Sequence, residues 1–254
     1  MLYGKCLFFL GMKPILKDTI TDILVYLVLC IGLFLMLRLI SQYTSFDDKV
    51  GFLAFKQDYI HNRVWKVAFY IHVFSAVFVL FAGFTQFSSY LQKNHKKVHR
   101  FIGKVYVFNI LVVNFPAAMI MAFYANGLLP SRIAFIILDS LWFWFTLKAF
   151  LEARKRNFKS HRDFMIRSYA LSFSAITLRS WKLVLSSVFV LDPLTVYMMD
   201  AWLGFVPNLL LAEWIIWQRR NGKNKLSLKR NGVNYNKESD TQNHGKRYQE
   251  SHDT

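Results

Sequence analysis

The sequence predicts an all-α polytopic membrane protein with six transmembrane helices, in which spans two to five form a four-helix, polar-lined core. Three observations predict it. Of the 254 residues, 54% are apolar and 17% aromatic, with 25 Phe, while only 19% are charged. Six stretches reach the roughly 20 mostly apolar residues a helix needs to cross a bilayer. Lys and Arg crowd into alternate connections between those stretches, the asymmetry that orients membrane helices.

The apolar load excludes a disordered chain, because there is ample surface to bury. Two cysteines, Cys6 and Cys30, exclude a disulfide-stapled secreted module. The net charge of +17 invites a nucleic-acid reading. Its distribution argues against that reading, because the excess is spread over every second connection and collects on no single face.

The elements follow in order. A basic segment, 1–19, precedes the first span at 20–40. That span is too long for a cleaved signal peptide, and the LISQYTS after it lacks a small-residue cleavage pattern. An external loop at about 41–63 has room for a short interfacial helix. Spans two to six are predicted at 67–89, 101–125, 132–151, 164–191 and 196–218. Pro116 and Pro207 are placed to kink their spans. The tail, 219–254, is polar and basic and reads as disordered. Residues 1–19 hold three Lys or Arg, 90–104 five, 148–167 seven and the tail nine, while 41–66, 125–132 and 189–197 hold four, one and none. Both termini are therefore expected in the cytoplasm of a bacterial inner membrane, with lipid as the obligatory partner and no nucleic acid.

Polar groups inside a span are costly and usually face the bundle interior. On the fifth span His161, Met165, Ser168, Ser172, Ala175, Arg179 and Lys182 step by three and four residues, so they share one face. His72, Ala76, Val79, Gly83 and Gln86 do the same on the second span. The third carries His99, Gly103 and Tyr106, with Asn109 and Asn114 beside them, and the fourth Asp139, Phe143 and Thr146. Small residues on such stripes also serve close helix packing with no ligand at all. Depth then separates two groups. His99 and His161 open the third and fifth spans on the cytoplasmic side. His72, Asp139, Arg179 and Asp200 fall nearer the outer side.

The two cytoplasmic histidines sit in related strings, KVHRFIGKVY at 97–106 and KSHRDFMIRSY at 159–169. Together with His72, the segment Gly83-Phe84-Thr85-Gln86 and Arg179, these strings resemble the bacterial membrane-protein family catalogued as domain of unknown function 2306. The resemblance covers about 70–185. It implies a multi-span membrane protein and no established activity. A looser likeness is to the b-561 class of haem cytochromes, which place histidines on alternate core helices at matching depth. His99 and His161 fit one such pair. A second pair is not available, because the fourth span has no histidine.

Two functional readings stand side by side. In one, His99 and His161 are axial ligands to the iron of a haem b, with Arg100, Lys104, Arg162 and Arg167 paired to its propionates and a quinone or another electron carrier as partner. Against this, His-Arg at a helix end also serves as a head-group anchor, with the long side chains snorkelling. In the other, the outer cluster of His72, Asp139, Arg179 and Asp200 binds or transports a small solute or lipid, with Asp139 or Asp200 expected as the counter-ion of Arg179. A structural ion pair that fixes helix register would need the same residues. His95 and His99 lie four apart, but no carboxylate base accompanies them and the surroundings are cationic. There is no Gly-rich phosphate loop, Gly-x-Ser-x-Gly elbow or Cys-x-x-Cys, so a nucleotide-using or thiol-redox enzyme has no support, and no catalytic residue is assigned.

Overall fold

A computed structural model describes Leu27 and residues 30–87 and 89–221. The basic segment 1–19, most of the first half of span one, Cys6 and the tail beyond 221 lie outside the described residues. The described residues are helical and contain no strand. Four helices are long and apolar enough to cross a bilayer: Arg63–Phe87, Lys96–Phe123, Leu128–Arg154 and Pro193–Asn221.

The first described helix, α1, covers 30–41 and belongs to the apolar stretch Cys30–Ser45. The segment after α1, which has room for a short interfacial helix, forms two 3-10 turns, Gln42–Ser45 and Leu53–Lys56. Helix α2 is Arg63–Phe87 and the short α3 is Ser89–Asn94. The third span is one helix with a changed pitch in its middle. It runs as α4, Lys96–Phe108, then as a π segment, Asn109–Asn114, then as α5, Phe115–Phe123. Pro116 explains the position of the change. It sits in the first turn of α5 and lacks the N–H that a continuing α-helix would donate to the preceding turn. A wider turn before it accommodates the lost bond.

Helix α6 is Leu128–Arg154 and opens on Gly127, whose φ of +80° is open to glycine and strained for other residues. The predicted fifth span divides into two 15-residue helices, α7 (Phe158–Ser172) and α8 (Ser174–Val188), on either side of Phe173. Each half alone is too short to cross. The break carries its own polar satisfaction: Asn208 Nδ2 donates to Ala170 O at 3.3 Å and to Thr177 Oγ1 at 2.8 Å. The sixth predicted span runs over Pro193–Asn221 with a short turn inside it. Helix α9 (Pro193–Leu203) starts at an Asp192 cap, which accepts the Leu194 N–H at 2.9 Å. A turn at Gly204 and Phe205 follows, and α10 covers 206–221. A second unit begins at Leu210, and its described residues, 210–221, are helical.

Two apolar clusters organise the first unit. One draws on Val79 and Ala82 of α2, Tyr106 of α4, Ile110, Trp142 and Ala149 of α6, Met165 and Leu171 of α7, and Ala201 of α9. The core that spans two to five were expected to make thus also takes residues from the sixth. The second cluster joins Met36 and Ile40 of α1 to Tyr43, Leu53 and Ile60 of the external loop and to Trp65 and Phe69 of α2. Buried polar residues thread between them, among them Gln86, Asn109, Asn114, Thr146, Ser168 and Ser172.

Candidate functional site

The two His-Arg strings meet in the structure. His99 is the fourth residue of α4 and His161 the fourth of α7. Seven residues on, two helical turns, lie Tyr106 and Ser168. Tyr106 Oη and Ser168 Oγ are hydrogen-bonded at 2.8 Å. The bond thus joins α4 and α7 at an equal number of residues from their histidines. A network surrounds that bond. Trp142 Nε1 donates to Ser172 Oγ at 3.0 Å, and Ser172 Oγ donates to Ser168 O at 3.1 Å. Ser172 Oγ must then accept from Tyr106, 3.0 Å away. Thr146 Oγ1 donates to Trp142 O and lies 2.7 Å from Ser168 Oγ. Five protons serve these six contacts, so the one Ser168 proton goes either to Tyr106 Oη or to Thr146 Oγ1, and the cluster ties α4, α6 and α7 together.

Glycines set how closely the helices approach. A Cβ on Gly83 would lie 1.7 Å from Tyr169 Cε2, so the tyrosine ring needs that position bare. Tyr169 Oη also donates to Leu80 O at 3.2 Å. A Cβ on Gly103 would lie 2.9 Å from Gln86 Oε1, while Gln86 Nε2 donates to His99 O at 3.1 Å. The Gly-Phe-Thr-Gln segment thus docks α2 against both His-Arg strings.

The histidines themselves differ. His161 Nδ1 is 2.7 Å from Ala149 O. A carbonyl only accepts, so Nδ1 carries a proton and donates it to Ala149 O, which fixes the orientation of the ring. His99 Nδ1 is buried with no hydrogen-bond partner. One imidazole is thus oriented by a backbone carbonyl, and the other has an unsatisfied ring nitrogen. Arg100, Lys104 and Arg162 are exposed around them. Arg167 is partly buried against the rings of Phe145 and Phe164, at 5.8 and 5.3 Å. Lys104 also borders an apolar groove of about 370 Å³ lined by Phe108, Leu111, Leu147 and Phe150.

The outer group separates into pieces. Arg179 and His72 come together, the charge of the one reaching the other, and Asn114 faces His72. Arg179 Nη1 donates to Ala175 O, and Tyr43 lies close to its charge. Asp139 is buried on α6 with no cation acting on it, and the cation that reaches the buried Asp200 is Lys182. Among the described residues no ion pair joins Arg179 to Asp139 or Asp200, the aspartates expected as its counter-ion. Matching depth does not bring residues together when their helix faces point apart.

Two further residues complete this region. Asn109 Nδ2 donates to Ser75 O at 2.9 Å, and Asn114 Nδ2 lies 2.7 Å from Ser75 Oγ. The Oδ1 atom of Asn109 is buried without a partner. A period of 3.6 residues puts positions five apart about 140° from each other on a helix. The π turn brings them to one side. Lys56 also lay outside the predicted sites. It is 2% exposed, its ammonium is bonded to Tyr124 O and Asn126 Oδ1, and it faces the rings of Phe52, Tyr59 and Trp65 at 5.7, 5.0 and 6.0 Å. Its signal in the sequence was a single Lys inside the aromatic-rich run 52–65.

A family model described as "Predicted membrane protein (DUF2306)" matches residues 69–216, more than half of the chain. No curated protein and no solved structure matches. The b-561 likeness gains no support from these comparisons.

Proposed function

We propose that this chain, which belongs to the DUF2306 family of predicted membrane proteins, is a six-span electron-transfer protein of a bacterial inner membrane that holds one haem b between His99 and His161. Both termini face the cytoplasm in this reading. The observation that carries it is the His161 Nδ1–Ala149 O bond of 2.7 Å, together with a second histidine, His99, that has an unsatisfied ring nitrogen. A backbone carbonyl on one imidazole nitrogen is the usual support for a ligand on the other.

When bound, haem would supply a one-electron couple, and the protein would set its potential through axial ligands and burial. The chain's own residues do the rest. Ala149 O orients His161. The Tyr106–Ser168 network fixes the register of α4 and α7 two turns away. Gln86 holds the backbone at His99. Arg100, Lys104 and Arg162 supply cations for propionates, while Arg167 is spent on aromatic faces. A quinone or another electron carrier would exchange the electron.

The test is a hemin titration of the detergent-purified chain and of His99→Ala and His161→Ala. The reading expects one haem per chain in the parent, with a sharp Soret band, and loss of that band in both variants. Variants that take up haem as the parent does would remove the ligand assignment.

A further inference from the structure

We infer that the apolar groove between the third and fourth spans seats an acyl chain of an anionic phospholipid, with the lipid's phosphate held by Lys104 and Arg154. The groove has a volume of about 370 Å³, within the size range of ligand pockets. Phe108, Leu111 and Val112 line one side, Leu147 and Phe150 the other, and every lining residue but Lys104 is apolar. From Lys104 to Phe123, at about 1.5 Å per residue, the third span covers close to the roughly 30 Å of a hydrocarbon core. The cationic end of the groove thus stands where lipid phosphates begin.

The two cations converge on that end. The spans are joined by the short connection 124–127 and so run antiparallel. Lys104 and Phe150 therefore mark the same end of the groove. Side chains lean towards the N-terminus of their own helix. On antiparallel helices Lys104 therefore leans out of the span and Arg154 leans back into it. The Arg154 guanidinium accordingly lies 5.9 Å from the centroid of the Phe150 ring, and Phe150 lines the groove with Lys104. Both cationic side chains are exposed, and neither has a hydrogen bond or ion pair among the described residues. The neighbouring carboxylate, Glu152, is held by Lys155 at 3.7 Å and by Asn157 Nδ2 at 2.7 Å.

That combination selects the occupant. An anionic phospholipid brings negative charge to two unpaired cations and a chain to the groove beneath them. A zwitterionic lipid brings its own cation to the same end. A quinone has a tail for the groove and no charge for its mouth. A second copy of this chain, with 32 Lys and Arg against 15 Asp and Glu, adds more cations than carboxylates. Lys104 also serves the haem reading, whereas Arg154 and the groove belong to this site alone.

The test is native mass spectrometry of the full chain in detergent, with palmitoyl-oleoyl phosphatidylglycerol or phosphatidylcholine of the same chains added at equal concentration. A cation beside an anionic head group is worth about fivefold in affinity, so one phosphatidylglycerol should be retained per chain, about tenfold or more tighter than phosphatidylcholine. Arg154→Gln should weaken it about fivefold, while Lys155→Gln, whose charge is committed to Glu152, should leave it unchanged. Leu147→Trp fills the groove with both cations in place and should lose the preference. The two exposed variants keep the test decisive if Leu147→Trp does not fold. Equal retention of both lipids by the parent overturns the inference. So does an equal loss in Arg154→Gln and Lys155→Gln, which would spread the preference over the whole basic rim. Parent-like binding by folded Leu147→Trp, or displacement of the lipid by equimolar inorganic phosphate, would leave the groove no part in binding and overturns it too. Haem enters none of these readouts and Lys104 stays in place, so this inference and the haem reading stand or fall separately.

Discussion

The ring of Tyr169 occupies the space that a side chain on Gly83 would need. A Cβ there would lie 1.7 Å from Cε2 and 2.0 Å from Cζ of that ring. Gly83→Ala should therefore force α2 and α7 apart, at a cost of about 1–3 kcal/mol or more. The same change in a Tyr169→Ala background should cost far less, because the obstruction is gone. Thermal unfolding of the four proteins in detergent measures the coupling. Additive losses would show that the contact does not set the helix spacing.

Tyr106 should behave as the centre of a cooperative cluster. Tyr106→Phe leaves the buried Ser168 and Ser172 hydroxyls one partner short, which costs about 1–3 kcal/mol. Ser172→Ala also strands Trp142 Nε1. The double variant should lose less than the sum of the two, since the second change removes groups the first has already stranded. Unfolding midpoints of the three variants against the parent check this.

Lys56 should give the external loop a pH dependence. Burial, with Arg132 nearby, lowers its pKa from the ordinary 10.5 to about 8. Between those values the unfolded chain holds a proton that the folded chain has released, so stability rises with pH across that window. Below about pH 8 both states are charged and the folded one bears the cost of burying the ammonium. The difference in Tm between the parent and Lys56→Met should therefore change in the parent's favour from pH 8 to 10.5 and be flat from pH 6 to 7.5. A difference independent of pH would mean that the ammonium is not desolvated.

Much of this arrangement was legible in the sequence, for identifiable reasons. The spans around 67–89, 101–125 and 132–151 carry sustained apolar runs, and helices of matching position formed there. The repeated His-Arg string already hinted that α4 and α7 correspond, and the Tyr106–Ser168 bond joins them at equal distance from their histidines. Hydropathy could not reveal the interruption at Phe173, because the flanking Ser172 and Ser174 are small enough for a helix interior and Asn208, which donates to Ala170 O beside the break, comes from a distant segment. Nor could it place Asp139. Depth follows from position along a span, whereas partnership depends on rotation about the helix axis, and on the third span the π turn also changes that rotation for the residues after Asn109. The same turn hid the pairing of Asn109 with Asn114, which a regular helix would point apart.

The most direct measurement is a dithionite-reduced minus oxidised absorbance spectrum of the purified chain from haem-replete cells, quantified as pyridine haemochrome. The account predicts sharp reduced bands at about one haem per chain, with low-spin character from two imidazole ligands. A featureless difference spectrum from folded protein would contradict it.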